Sequence, residues 1–490
     1  MPESWVNLAE RIGSDLYLEL SGPGSRRAVL IRALRDAVRE GLLAPGTRLP
    51  PYRSLAADLG LARNTVADAY AELVAEGWLT ARQGSGTRVA EGAAPPPRAR
   101  KPKPAPVPPI PHPHNLRQGV PEAASFPRTA WLAAARRSLG AAPDEVFGPG
   151  DPRGRIELRR ALTDYLTRVR GVRVDPERIV VCSGFAHALR LLFDGSRGAG
   201  GAGGATLHGP FAVESYGLRF HTDILEGSGV RTVPLDLDEQ GALVEQLAEE
   251  PRLRGVLLTP AHQFPTGGPL HPARRAAVID WARTSDGLVV EDDYDGEFRY
   301  DRVPVGAVQG LDPERVVYLG SVSKSPSPAV RVGWMVLPVR LVDSVLAAKG
   351  TRESSVSVLD QLTLADFITS GQYDRHIRRM RQRYRLRRDR LVTALAEQAP
   401  HIAATGVAAG LHAVLRLPPG TEASAVKAAS WQGIALDGLA GFRHPRASMP
   451  ARDGLVIGYS TPAEHAYGAA VEALLRALPP STADSPTSRP

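Results

Sequence analysis

Apolar residues recur at helical spacing from Arg26: Leu30, Ala33, Leu34, Ala37 and Val38 share a face, and Gly41 ends the run before a Pro45-Gly46 turn. A short second helix is predicted over 50–60, with Leu55 and Leu59 inward. After the Gly60-Leu61-Ala62 turn, Arg63-Asn64-Thr65 opens a third helix that packs Val66, Ala69, Tyr70, Leu73 and Val74. From Gly77 to Ala90 the pattern reads as two short strands about Gly84-Ser85-Gly86. Two helices joined by a glycine-bearing turn and followed by a hairpin predict a winged helix-turn-helix over 14–90. Its second helix would start at base edges and phosphates, where the donors Arg63, Asn64 and Thr65 suit duplex DNA.

The pattern then lapses. Residues 91–114 are dominated by proline, with ten between Ala93 and His114, and predict an extended spacer. Beyond it, apolar runs such as Ile179–Cys182, Gly255–Leu258 and Gly287–Val290 alternate with helical stretches over 115–478. Strand–loop–helix units in series predict an α/β domain with a mostly parallel sheet. Residues 479–490 read as a disordered tail.

Composition narrows this picture. The chain has 490 residues, a net charge of +8 and one cysteine, Cys182, which excludes an intrachain disulfide framework and a cysteine-rich metal site. No metal is expected. No run of about eighteen apolar residues predicts a membrane span, and the N-terminus lacks a signal pattern, so the expectation is cytoplasmic. The basic balance permits an acidic partner without requiring one. The arginine-rich stretch from Gln372 has two readings: a DNA-facing patch, or a helix packing its aliphatic stems, the second being favoured.

The chemistry centres on Val317–Gly333. Lys324 sits alone in a loop of small residues, where desolvation makes an amine nucleophilic towards an aldehyde. Ser321 and Arg331 suit a phosphate. Glu291-Asp292-Asp293-Tyr294 ends an apolar strand, where a carboxylate can pair with a pyridine nitrogen. Aldehyde, phosphate and pyridine together are pyridoxal 5′-phosphate. The Ser183-Gly184-Phe185 turn at a helix start offers a further anion site.

Residues 26–90 resemble the GntR family of winged-helix repressors, through Gly46-Thr47-Arg48-Leu49-Pro50, Arg53-Ser54-Leu55-Ala56, Arg63-Asn64-Thr65-Val66, Glu76-Gly77-Trp78-Leu79 and Gly84-Ser85-Gly86-Thr87. That resemblance implies DNA contacts at Arg53, Arg63, Asn64, Thr65 and Gly84. Residues 115–478 resemble fold-type I aminotransferases through Ser183-Gly184, Pro265-Thr266-Gly267, Glu291–Tyr294 and Ser321-x-Ser323-Lys324…Arg331-x-Gly333. The fusion resembles the MocR family of transcriptional regulators, whose branches govern vitamin B6 synthesis (PdxR type) and amino-acid catabolism. It implies a Schiff base at Lys324, Asp292 on the ring nitrogen and Tyr294 near the ring oxygen. Ser321, Arg331 and the Ser183-Gly184-Phe185 backbone would hold the phosphate. A head-to-tail homodimer and an effector, either the cofactor or an amine, are also implied.

Three departures bear on activity. Phe264 stands where aminotransferases carry the asparagine that tunes the ring, with His262 as a replacement. Leu455–Tyr459 lacks the arginine for a substrate carboxylate, and neither Phe211 nor Tyr216 stands out as the stacking ring. They favour a sensor over the alternative, an aminotransferase with an accessory N-terminal domain.

Overall fold

The computed structural model describes residues 20, 23–82, 86–91, 112–193, 207–300, 305–350, 356–406 and 408–481. Residues 14–19, most of the proline-rich spacer, Gly84 and most of the tail fall outside them. The chain divides into two units, Met1–Ile110 and Pro111–Pro490.

In the first unit, α1 (Arg26–Arg39), α2 (Tyr52–Asp58) and α3 (Arg63–Ala75) surround Leu30, Leu34, Leu55, Val66, Ala69 and Leu73. Ser25 caps α1 by accepting the Ala28 amide at 3.3 Å. Arg35 grips Glu76 with bonds of 2.7 and 2.9 Å, and Arg27 pairs with Glu72, tying α1 to α3. Strands β1 (Leu79–Arg82) and β2 (Gly86–Val89) pair antiparallel, Leu79 opposite Val89, which forms the wing.

The second unit is built on a seven-stranded sheet. Its strands are β3 (Ile179–Cys182), β4 (Phe211–Glu214), β5 (Thr232–Leu235), β6 (Gly255–Leu258), β7 (Leu288–Asp292), β8 (Val316–Ser321) and β9 (Gly333–Val336), in the order β3-β9-β8-β7-β6-β4-β5. Only β9 runs antiparallel to its neighbours. Successive side chains go to opposite faces, so Val289 joins one core cluster and Val290 another. Burial on both faces explains why these strands read as unbroken apolar runs. Helices include α4 (Arg128–Gly140), α5 (Ile156–Arg170), α6 (Phe185–Phe193), α7 (Arg219–Gly227) and α8 (Pro272–Thr284). They continue with α9 (Val339–Lys349), α10 (Val358–Thr369) and α11 (Gln372–Gln398). A smaller antiparallel sheet carries β10 (Ala404–Thr405), β11 (His412–Arg416), β12 (Asp437–Gly438) and β13 (Gly454–Gly458).

The basic stretch is α11, and several of its arginines are structural. Arg387 is buried; its guanidinium bonds Glu122 at 2.9 Å, Glu464 at 3.0 Å and the Ser460 carbonyl at 3.1 Å. Arg381 donates twice to the Glu297 carbonyl, and Arg388 lies over the Tyr300 ring. No described helix is long and apolar enough to cross a membrane.

Candidate cofactor site and DNA-reading face

The carboxyl ends of β4, β6, β7 and β8 open into a cavity of about 140 Å³. In a sheet of parallel strands this is where side chains from several strands converge. Asp292 lines it, whereas its neighbours do not, because alternation along β7 turns them away. Glu291 accepts the Val308 and Gln309 amides at 2.9 Å each. Asp293 accepts from Arg170 at 2.6 Å and from Tyr318 at 2.8 Å. Among the described residues, no donor reaches the Asp292 carboxylate. Burial, with Asp293 adding repulsion, holds this carboxyl well above the usual carboxylate range, against the pull of Lys324.

Lys324 follows β8, and its Nζ donates to the Gly119 carbonyl at 2.5 Å. Burial depresses this amine, opposed in part by Asp295 and Asp292. Ser321 and Ser323 also line the cavity, their hydroxyls 2.8 Å apart. Tyr294 lines it too, its hydroxyl 2.9 Å from His262 Nδ1, and that nitrogen lies 3.0 Å from Asp295 Oδ2. Burial pushes Glu214 up to about 7, although Thr259 donates to it through its amide and hydroxyl. His221 and His412 are pushed down to about 3, chiefly by burial, so both are neutral at pH 7.

The residues fit a pyridoxal phosphate. An amine whose basicity burial lowers and a carboxyl with no donor on it among the described residues face one apolar space, where an aldehyde and a ring nitrogen would satisfy both. Phe185, at the start of α6, borders the same space. Ser183 and Gly184 form the turn before it, pressed against β9: a Cβ on Gly333 would lie 2.7 Å from Gly184 Cα, so the approach requires glycine. Arg331 is exposed, in a left-handed conformation (φ 57°), and does not line the cavity. Its charge bears on Cys182, which places it near the carboxyl end of β3. His262 also lies outside the lining, in contact with Tyr294.

On the winged helix, Arg63 and Asn64 stand exposed in the first turn of α3, with Thr65 half-buried beside them. Arg53 is exposed on α2, its guanidinium 5.8 Å from the Tyr52 ring. Among the described residues, no carboxylate pairs with Arg53 or Arg63, so both are available to phosphates.

Comparison with known proteins supports both units. Residues 27–89 match the family of bacterial regulatory proteins of the gntR type, and residues 112–445 match aminotransferase class I and II. The pyridoxine biosynthesis transcriptional regulator PdxR of Corynebacterium glutamicum is 32% identical over 90% of this chain and 93% of its own length. The probable rhizopine catabolism regulatory protein MocR of Rhizobium meliloti is 32% identical over 88% of the chain and 89% of its own. The chain belongs to the MocR-type transcriptional regulators. Its gntR-type unit binds DNA, and its second unit has the fold-type I aminotransferase architecture. An archaeal alanine:glyoxylate aminotransferase superposes with a TM-score of 0.66 at 21% identity, over 74% of this chain and 89% of that one. Kynurenine aminotransferase of Pyrococcus horikoshii gives 0.65 at 24%, over 74% and 90%. At such identity the likeness establishes the fold alone.

In this regulator neither expected stacking ring reaches the cavity. Phe211 packs edge-on against Phe193, and the buried Tyr216 hydroxyl accepts the Arg452 amide at 3.0 Å. The rings that line it are Phe185, Phe220, His221, Phe264, Tyr294 and His412. Arg443, Arg446 and Arg452 are all engaged elsewhere, on the Ala447 and Met449 carbonyls, on Glu226 and Thr232, and on the Leu237 carbonyl. Glu214 was legible in principle, as a carboxylate ending an apolar strand. Gly119 and His221 carry no local signal; the fold alone brings them to Lys324.

Proposed function

We propose that this regulator senses pyridoxal 5′-phosphate itself, captured at Lys324, and that capture changes its affinity for operator DNA. The observation that carries the reading is the lining of the cavity: a half-buried amine, a buried carboxyl and, among the described residues, no arginine. Lys324 is the amine that meets the aldehyde, and burial keeps it nucleophilic. Asp292 would meet the ring nitrogen. Tyr294 would serve the ring oxygen. Ser321, the Ser183-Gly184-Phe185 turn and Arg331 serve the phosphate. When bound, the cofactor supplies an electrophilic carbon and an electron-withdrawing ring. An amino-acid effector would bring a carboxylate that meets no arginine among the described cavity-lining residues, which favours the cofactor over an amino acid. The name of the Corynebacterium relative points the same way.

On the DNA side, Arg53, Arg63, Asn64 and Thr65, with the wing around Gly84, make the contacts. A head-to-tail homodimer would set the spacing of two half-sites. Ligand and DNA are coupled only if the ligand favours one arrangement of the protein. The test titrates operator DNA with apo protein, loaded protein and Lys324→Ala exposed to the cofactor. A difference between apo and loaded wild type that vanishes in Lys324→Ala is expected. A tenfold difference, about 1.4 kcal/mol, must appear reciprocally as a tenfold effect of DNA on ligand affinity. Equal DNA affinity in all three samples would overturn the reading.

A further inference from the structure

His262 and Asp295 are almost completely buried and lie outside the cavity lining, but His262 links Asp295 to Tyr294, which lies within it. His262 Nδ1 faces two oxygens, Tyr294 Oη at 2.9 Å and Asp295 Oδ2 at 3.0 Å. It carries at most one proton. An ionised Asp295 only accepts hydrogen bonds, so a proton on Nδ1 satisfies the pair, whereas a bare Nδ1 would set lone pair against lone pair. His262 Nε2 is buried with no hydrogen-bond partner among the described residues. A proton placed there would be a buried donor with nothing to receive it. Both considerations select the Nδ1–H tautomer. Space enforces the contact: a Cβ on Gly410 would overlap the His262 ring and come within 2.7 Å of Asp295 Oδ2.

This tautomer decides what Tyr294 does. With Nδ1 already protonated, the phenol cannot donate to it and receives instead the weaker branch of a forked bond. Its own proton is left for another acceptor, and the space that Tyr294 lines is the cavity. We propose that Asp295, acting through His262, is a positioning residue that keeps the Tyr294 phenol proton directed into the cavity, where it donates to an anionic oxygen of the ligand. The inference rests on the pyridoxal 5′-phosphate reading, in which that oxygen is the ring substituent beside the aldehyde carbon. Burial and the neighbouring carboxylates raise the Tyr294 phenol well above its ordinary range, so the proton stays on it. The other titratable groups bearing on this trio include Asp292, Glu214, Lys324 and His412 around the cavity, with Tyr300, Tyr459 and Glu297 near Asp295. They are common to wild type and variants, so a difference between those isolates the trio.

The test loads wild type, Tyr294→Phe, Asp295→Asn and the double variant with pyridoxal 5′-phosphate and follows the visible absorption against pH. A donor to the ring oxygen stabilises its anionic form, so losing the donor raises the midpoint. The expected rise is about one pH unit, a tenfold effect, in Tyr294→Phe and nearly as much in Asp295→Asn. The double variant should shift no further than Tyr294→Phe, because both changes remove the same bond. An unmoved midpoint in Asp295→Asn, or shifts that add, would overturn the proposal. If Asp295→Asn does not fold, ¹⁵N spectra of histidine-labelled wild type decide it: a proton on His262 Nδ1 is expected, and one on Nε2 refutes. Dialysis of the loaded wild type against a chelator should leave the midpoint unchanged. A shift would mean that a cation held by His262, Asp295 and His412 replaces the proton, which also refutes it. Failure of wild type to take up the cofactor would sink the proposed function instead, and the ¹⁵N measurement, which needs no ligand, would still decide the tautomer.

Discussion

Replacing Arg387 separates the two readings of the arginine-rich helix. Arg387 is 2% exposed and Glu122 is 5% exposed, so Arg387→Met leaves a carboxylate buried without its nearest cation. Arg383, at 3.1 Å from Glu122, offsets part of that loss. The Tyr459 and Ser460 carbonyls lose their donor, and the Tyr467 ring loses the guanidinium 5.3 Å away. Breaking a buried pair costs about 3–5 kcal/mol, and the surviving Arg383 contact places this one near the lower end. Arg385→Met is the control: half-exposed, 3.8 Å from Asp389, it should cost no more than about 0.5 kcal/mol. Urea unfolding of the second unit, followed by far-ultraviolet circular dichroism, reads both. Operator affinity should be unchanged in each variant under native conditions. Equal costs, or an Arg387→Met penalty under about 1 kcal/mol, would refute the structural assignment. A log-affinity against log-salt slope shallower by about one in Arg385→Met would return the helix to the DNA face.

Arg53→Ala and Arg63→Ala should each lower operator affinity and flatten the salt slope by about one, as measured by fluorescence anisotropy; unchanged slopes in both would remove them from the interface. Asp292→Asn should keep the fold, by circular dichroism, yet weaken cofactor retention, because an amide cannot share a proton with the ring nitrogen in the same way; an unchanged affinity and spectrum would show the carboxyl to be misplaced. Multiple-turnover transamination should be absent or very slow, and rapid turnover with any common amino acid and keto acid would contradict the lining argument. Burial pushes the folded His221 down to about 3, below its ordinary value of about 6.5, so below pH 6.5 the unfolded chain takes up a proton that the folded one refuses, and stability falls towards pH 3. Measured by urea unfolding at a series of pH values, His221→Phe should therefore gain on wild type by about 1.4 kcal/mol per pH unit across that window; parallel curves would refute it.

Periodicity located the winged helix and most strands of the large sheet, but not Phe211–Glu214 or Thr232–Leu235. Leu30, Leu34, Leu55 and Leu73 recur at helical spacing because one face meets a core, and Ile179–Cys182 or Leu288–Val290 run unbroken because both faces do. The lysine after β8 and the carboxylate ending β7 were legible for a related reason: functional groups sit where parallel strands end. Side-chain alternation says that Asp292 faces away from Glu291 and Asp293, but which side meets the cavity, and what the other two do, required the tertiary structure and the partners Val308, Gln309, Arg170 and Tyr318. Those partners lie between 17 and 123 residues away, and no local pattern encodes them. Gly119 meets Lys324 across 205 residues, and Arg387 meets Glu122 across 265. Charge composition could not tell a solvated arginine from a buried one, because burial belongs to the packed helix and its neighbours and not to the residue. The sequence by itself therefore determined the elements and the chemistry available at the strand ends. The tertiary structure decided which groups are desolvated and which are paired, since each depends on distances between segments that chain order leaves free.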